Sequence, residues 1–201
     1  MTRWEQFFLE DKRVETAPPT QFVRSAAAEF AVEGKRAVLD LGCGVGRDTF
    51  YLADQRFDVT GADLASSGLE IARRLSASRE NPPRFLKADA RDLPFPSECF
   101  DAVYCFGLLH EFTDESTAER DVQSVMSEIA RVLRPSGLLA IAVLAGDPKE
   151  GLPHVRLFSE TMFADAPRNF ELIRKTVCYD IGCTGSASYC VWSGVFRKQS
   201  T

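Results

Sequence analysis

The stretch AVLDLGCGVGR at residues 37–47 decides how the chain around it folds. Four of its first five residues are apolar, which is typical of a strand buried on both faces. Three glycines follow at alternate positions (Gly42, Gly44 and Gly46), and residues 48–53 have the pattern of the first turns of a helix. Strand, glycine turn and helix together predict the opening of a βαβ unit, in which a ligand can approach bare backbone.

Asp40 determines what kind of ligand this turn can bind. It lies at the carboxyl end of the predicted strand, where open α/β sheets bind ligands. A carboxylate there favours a cationic group and repels a diphosphate. Arg47 also stands where the dinucleotide fingerprint G-x-G-x-x-G has its third glycine. We therefore interpret the turn as a nucleoside site for a ligand with an ammonium group, and a NAD-dependent oxidoreductase is the disfavoured alternative.

The segment VLDLGCGVG at residues 38–46 resembles the first motif of the class I S-adenosylmethionine-dependent methyltransferases, and later segments extend the resemblance from residue 37 to residue 143. The resemblance implies S-adenosylmethionine as cofactor. Arg47 then either reaches the carboxylate of the cofactor or lies in solvent, and the sequence leaves both open. The resemblance further implies cofactor contacts from Asp40, Gly42, Cys43, Gly44 and Gly46.

Residues 57–62 alternate in polarity and predict a second strand, which Asp63 ends. Asp63 lies 17 residues after Gly46, and a ribose-binding acid is expected about 20 residues after such a motif. A carboxylate can accept hydrogen bonds from both ribose hydroxyls. The resemblance implies this role for Asp63, with Leu64 beside it in the cofactor site. The alternative is that Asp63 only caps the helix predicted over residues 66–78.

The predicted third strand, residues 84–88, leads directly into Asp89 and Ala90. This segment resembles the one in which methyltransferases accept the adenine amine on an acid and meet a ring nitrogen with the next backbone N–H. Asp89 and Ala90 are the matching positions. Asp92 is the competing carboxylate, and we prefer Asp89 because it immediately follows the strand.

Residues 100–106 predict a fourth strand, and the resemblance implies that it ends beside the methionine half of the cofactor, where Phe106 would make contact. His110 follows this strand. An unperturbed histidine titrates near neutrality, so His110 is the candidate general base for an acceptor that must lose a proton. A structural histidine is the alternative. Glu111 is a weaker candidate, and we expect His154 to be exposed.

The predicted elements make a single domain over residues 1–201, with residues 37–144 as its cofactor-binding core. Residues 1–34 predict two helices, and this N-terminal segment is a candidate lid because mobile segments often shield active sites. Residues 116–133 predict a long amphipathic helix, which the turn RPSG at 134–137 ends before a fifth strand.

Residues 145–201 predict a loop, a short helix from Ser159 and a closing hairpin of residues 170–179 and 188–197. The predicted fold class is therefore α/β, a doubly wound Rossmann-like sandwich. Its seven-stranded sheet would be mostly parallel, with a C-terminal antiparallel hairpin. Cys178 and Cys190 are candidate cross-strand neighbours in that hairpin. With Cys183 they would offer a soft-metal site only if all three converged, so no metal is expected.

Composition narrows the classes of partner. A net charge of −5 argues against a nucleic-acid substrate held on a broad basic surface, and no apolar run approaches the length of a membrane span. The six cysteines contain no C-x-x-C pair, and with the absence of an apolar leader they indicate a cytoplasmic protein with reduced thiols. The sequence does not specify an oligomeric state.

The sequence thus predicts an S-adenosylmethionine-dependent methyltransferase that acts on a small molecule. Its main catalytic contribution would be to align acceptor and methyl group for an in-line displacement, because the cofactor supplies the reactivity. A non-catalytic protein that binds S-adenosylmethionine is the second hypothesis.

Overall fold

Seven strands form one mixed sheet in the computed structural model, which describes residues 2–147, 155–165, 169–181 and 188–199. Of residues 178–181 and 188–189 it describes the backbone alone. In chain order the strands are β1 (Ala37–Leu41), β2 (Asp58–Asp63), β3 (Arg84–Lys87), β4 (Phe100–Phe106), β5 (Leu133–Leu144), β6 (Phe170–Ile181) and β7 (Ser188–Lys198).

The first three helices begin where the sequence offers a cap or a glycine turn. Thr20 accepts a hydrogen bond from the Val23 N–H and so caps the second helix. Thr2 and Glu5 form a capping box on the first. Short 3₁₀ turns occupy Lys12–Glu15 and Leu109–Glu111. The helices are α1 (Arg3–Glu10), α2 (Gln21–Val32), α3 (Arg47–Asp54), α4 (Ser66–Ser76), α5 (Ala118–Val132) and α6 (Glu160–Asp165).

The strand order β3-β2-β1-β4-β5-β7-β6 confirms the doubly wound fold. The strand β1 pairs in parallel with both β2 and β4, and β7 runs antiparallel between β5 and β6. The chain first moves outward from β1 to β3 and then crosses to β4. The order therefore reverses beside β1, at the kind of position where open α/β sheets form their ligand crevice.

The central strands are buried on both faces. Leu39 and Leu41 of β1 belong to an apolar cluster with α5, while Val38 belongs to another with α2 and α3. A third cluster, which includes Phe8 and Ile71, joins α1 to α4. Because both faces are covered, only the strand ends leave room for a ligand.

The fifth strand begins at Leu133 and not at residue 138 as the sequence predicts. Leu133 pairs with Phe100, and the next pair is Leu138 with Ala102. Residues 134–137 are thus a bulge inside β5 and not a turn before it, because Ser136 absorbs the extra length with a φ of +59°. For the same reason the preceding helix ends at Val132, one residue before its predicted end; it begins at Ala118 and not at residue 116.

The C-terminal strands form the predicted hairpin, but its register corrects one expectation. Tyr179 pairs with Cys190 and Cys178 with Val191, so Cys178 and Cys190 are not cross-strand partners. Cys183 and His154 lie outside the described residues. Within the described ranges, no helix is both long and apolar enough to cross a bilayer, and no group of three or more metal-ligating side chains occurs.

Candidate functional site

A cavity of about 710 Å³ lies at the carboxyl ends of the strands. Its lining follows the strand order, from the residues after β3, through the ends of β2 and β1, to the residues after β4 and to β5 and β7. Of the residues that the sequence singles out, those lining the cavity are Gly42, Cys43, Gly44, Arg47, Asp63, Leu64, Asp89, Ala90, Phe106, His110 and Glu111.

The glycine turn has the backbone conformation that its sequence requires. Gly42, Gly44 and Gly46 all have positive φ, between 54° and 85°, where a residue with a Cβ would be strained. The turn also passes Phe8 so closely that a Cβ on Gly44 would lie 3.0 Å from its ring. Cys43 is buried, which raises the pKa of its thiol well above the usual value, so it fills space as a neutral group.

Asp63 joins the glycine turn to the start of α4. Its carboxylate accepts hydrogen bonds from the N–H groups of Gly44 and Ala65, both at 2.8 Å. Burial raises the pKa of Asp63, although these backbone donors oppose the shift. The N-cap residue of α4 is Ala65, which makes no side-chain hydrogen bond, and Asp63 accepts the N–H of Ala65 itself, so its carboxylate contacts the start of the helix as well as the glycine turn. Leu64 is half-exposed at the edge of the cavity.

Asp40 lies behind the glycine turn. It is only 2% exposed, accepts a hydrogen bond from the Thr49 hydroxyl, and is not among the described residues that line the cavity. Burial raises the pKa of Asp40 to about 7. A direct contact with a cofactor ammonium, as the sequence predicts, would therefore require the turn or the side chain to rearrange.

Arg47 lies in the cavity wall and not on the surface. Its side chain is 11% exposed, forms an ion pair with Asp48 and lies over the Phe106 ring, 5.6 Å from the centroid. The Asp48 carboxylate also accepts hydrogen bonds from Thr20 and Tyr104. Sequence reasoning did not find this buried network, which ties the N-cap of α2 to the start of α3.

At the opposite end of the cavity, Asp89 is held by Arg91. The backbone N–H and Nε of Arg91 donate to Oδ1 of Asp89 at 2.9 and 3.0 Å, and Nη2 donates to Oδ2 at 2.7 Å. These bonds hold the pKa of Asp89 below its usual value. In the described part of the chain the N–H of Ala90 has no hydrogen-bond acceptor. Asp92, the competing carboxylate, is not in the cavity lining.

His110 lines the cavity beyond β4, in a 3₁₀ turn. Its Nδ1 accepts the N–H of Leu144 at 3.4 Å, so the proton of the neutral ring is on Nε2. The expectation that His110 titrates near neutrality is wrong, because burial, with a smaller contribution from Arg3, lowers the pKa of its imidazole to about 4.

The first helix closes one side of the cavity. The Trp4 indole N–H donates to Oε2 of Glu111 at 2.8 Å, and Arg3 forms an ion pair with the same oxygen. Ser67 donates to the carbonyl of Glu5 at 2.9 Å. Phe8 also packs so closely on Gly68 that a Cβ there would lie 2.9 Å from its ring. A glycine in the first turn of a predicted helix is a sequence signal of such close approach, whereas nothing in the sequence links Glu111 to α1.

A doubly wound sheet with a glycine turn after β1, a carboxylate at the end of β2 and another after β3 defines a Rossmann-like fold for a nucleoside cofactor. The chain matches the methyltransferase domain family over residues 39–141, about half of its length, and it belongs to that family. The resemblance of its motifs to those of the class I S-adenosylmethionine-dependent methyltransferases is thereby confirmed.

Two relatives agree with this membership, and a solved structure shares the fold. The chain is 37% identical to a fatty-acid O-methyltransferase of Mycolicibacterium smegmatis over 77% of this chain and 54% of the relative. It is 36% identical to a demethylmenaquinone methyltransferase of Thermus thermophilus over 63% of this chain and 56% of the relative. It therefore spans little more than half of either protein. A SAM-dependent methyltransferase structure from Methanosarcina mazei aligns with a TM-score of 0.70 at 20% identity, over 82% of this chain and 93% of that one.

Proposed function

We propose that this chain transfers the methyl group of S-adenosylmethionine to a small, largely apolar acceptor. The observation that carries the proposal is the order of side chains along the cavity. Asp89 follows β3, Asp63 ends β2 and the glycine turn follows β1. Phe106, Leu144 and Val191 lie at β4, β5 and β7. Neighbouring strands are about 4.8 Å apart, so polar groups for a nucleoside and apolar groups for an acceptor succeed one another along one edge of the sheet.

Each residue at the polar end of the cavity suits one part of adenosine. Asp63 would accept from the ribose hydroxyls, and the half-exposed Leu64 would border the sugar. Asp89 would accept from the adenine amine while the N–H of Ala90 donates to a ring nitrogen. The methionine half would then pass the glycine turn toward Phe106, with Arg47 near its carboxylate. Asp40, behind the turn, would act on the cofactor ammonium mainly through its electrostatic field.

The cofactor supplies an activated methyl group, and the chain contributes alignment and exclusion of water. His110 remains a candidate general base only in a weakened form, because a pKa of about 4 makes it a poor proton acceptor at neutral pH. Its Nε2–H can instead donate a hydrogen bond to an acceptor oxygen. We also propose that α1 is the lid of the acceptor end, since Arg3 and Trp4 line the cavity and are anchored on Glu111.

Several features support an apolar acceptor. Leu108, Phe112 and Leu144 line the cavity beyond the glycine turn with Val155 and Val191. The names of two relatives, a fatty-acid O-methyltransferase and a demethylmenaquinone methyltransferase, are consistent with such an acceptor. No nucleic-acid substrate is proposed for a chain of net charge −5. A cytoplasmic location is proposed from the free, buried thiols of Cys43 and Cys105.

A direct assay tests the proposed function. The chain is incubated with S-adenosylmethionine and a panel of hydrophobic carboxylic acids, phenols and quinols, and release of S-adenosylhomocysteine is measured. We expect turnover with at least one apolar acceptor, and its loss in Asp63→Asn. Tight binding of S-adenosylmethionine without release from any acceptor would favour the non-catalytic binding protein instead.

A further inference from the structure

Arg91 is engaged on three sides at the end of the cavity where adenine would lie. Its guanidinium donates to Asp89, as described above, and its Nη1 donates to Oδ1 of Asp121 at 3.2 Å. The same group lies 6.0 Å from the centroid of the Phe112 ring. Arg91 therefore joins the loop after β3 to the first turn of α5 and to the segment after the 3₁₀ turn.

The hydrogen bonds determine which part of Asp89 can meet a ligand. A carboxylate has about four lone-pair positions, two on each oxygen. Oδ1 already accepts two hydrogen bonds from Arg91 and Oδ2 accepts one. The remaining acceptor position is therefore on Oδ2. Asp121 is fixed in turn by the Thr117 hydroxyl, which donates to its Oδ2 at 2.8 Å.

We propose that Arg91 is a positioning residue for cofactor recognition: it holds the Asp89 carboxylate so that a single lone pair of Oδ2 faces the exocyclic amine of adenine. The inference rests on the proposed function, since it assumes that Asp89 binds the adenine of S-adenosylmethionine. Arg91 also holds the pKa of Asp89 low, so this carboxylate is an obligate acceptor at neutral pH. A fixed acceptor rejects a base that presents an oxygen at the same position, because the two acceptors repel.

The test compares S-adenosylhomocysteine with S-inosylhomocysteine, whose base carries a carbonyl oxygen in place of the amine. Dissociation constants are measured by calorimetry at pH 7.5 for the wild type, Arg91→Met and Arg91→Lys. We expect the wild type to prefer adenine by about 100-fold, and Arg91→Met to reduce that preference by about tenfold, since a hydrogen bond to a charged group is worth roughly that factor or more. Arg91→Lys keeps the positive charge but not the fork of donors. We therefore expect this variant to retain more of its affinity for S-adenosylhomocysteine than of its preference for adenine.

A matched control and a second variant distinguish failure of this inference from failure of the proposed function. Arg84→Met removes another arginine that pairs with an aspartate, Asp58, but on the exposed outer edge of the sheet, and its preference should equal that of the wild type. If Arg91→Met does not fold, Asp121→Asn weakens the hydrogen bond between Arg91 and residue 121, and we expect a severalfold loss of the preference for adenine. An unchanged preference in every folded Arg91 and Asp121 variant would overturn the inference alone. If the wild type binds neither compound, the proposed function itself is overturned.

Discussion

Among single residues, the protonation of Asp40 has the clearest consequence for stability. Its pKa is raised to about 7 in the folded protein, against 3.8 for an ordinary aspartate. Between these two pH values the folded state holds a proton that the unfolded state has lost. The contribution of Asp40 to stability is therefore complete below pH 4 and is lost as the pH rises through 7.

Asp40→Asn should remove this loss of stability at high pH, because asparagine is neutral at every pH. Its side-chain oxygen can still accept the hydrogen bond from the Thr49 hydroxyl. We expect the variant to be more stable than the wild type at pH 8 by on the order of 4 kcal/mol, and by a much smaller amount at pH 4.5. Urea unfolding at both pH values measures the effect. Asp58→Asn, on an exposed aspartate, is the control. Equal pH dependence in Asp40→Asn and the wild type would contradict the assignment.

The roles of the two ring nitrogens of His110 can be tested separately by substitution. His110→Asn keeps an acceptor near the Nδ1 position for the N–H of Leu144, and His110→Gln keeps a donor near the Nε2 position. General base catalysis contributes about 10²–10⁴-fold, whereas one hydrogen bond is worth about tenfold or less. We expect His110→Gln to lower kcat by no more than about tenfold, and the wild type to show no acid limb in kcat near pH 6.5. A fall of 100-fold or more in both variants would restore His110 as the base.

Among the elements, α1 depends on contacts of unequal strength. The ion pair of Arg3 with Glu111 is half-exposed on the arginine side, and such surface pairs contribute less than about 1 kcal/mol. The hydrogen bond from Trp4 to the same carboxylate is partly buried, and bonds to charged groups are worth about 1.5–3 kcal/mol. The indole should therefore dominate the docking of α1.

We expect Trp4→Phe to accelerate amide hydrogen exchange throughout α1 and to raise KM for the acceptor more than kcat is changed. Arg3→Gln is the matched comparison, and its effect should be severalfold smaller. Exchange measured by mass spectrometry on the peptide covering residues 2–11 resolves the two variants. A larger effect of Arg3→Gln would assign the docking to the ion pair.

The elements also show where sequence reasoning reaches its limit. The bounds of β1 and β4 were predicted correctly because apolar runs and a glycine turn are local signals. The start of β5 was missed because its bulge depends on pairing with β4, more than 30 residues earlier in the chain. The docking of α1 on Glu111 was missed likewise, since Trp4 and Glu111 are 107 residues apart.

At the scale of the whole molecule, the sequence predicts where the acidic residues of the site lie in the fold but not which side chains form hydrogen bonds with them. Parallel strands end at the same edge of a sheet, so Asp63 and Asp89 were expected to border one crevice, and both line the cavity. The withdrawal of Asp40 behind the turn depends on Thr49, and the orientation of Asp89 depends on Arg91. Side-chain contacts of this kind follow from the packing of the assembled fold and leave no spacing pattern in the sequence.

Because the cavity is formed only in the folded domain, ligand binding can be measured as an increase in the stability of the whole domain. A ligand that binds only the folded state stabilises it by RT ln(1 + [L]/Kd), about 2.7 kcal/mol at 100 times Kd. For a domain of this size, S-adenosylhomocysteine at that excess should raise Tm by roughly 5–10 °C. NADH should give no shift, because Arg47 replaces the third glycine of the dinucleotide motif. Asp63→Asn should lose most of the shift while keeping the fold. A shift with NADH and none with S-adenosylhomocysteine would show that the cavity binds a dinucleotide and that the carboxylates of Asp63 and Asp89 do not hold S-adenosylmethionine.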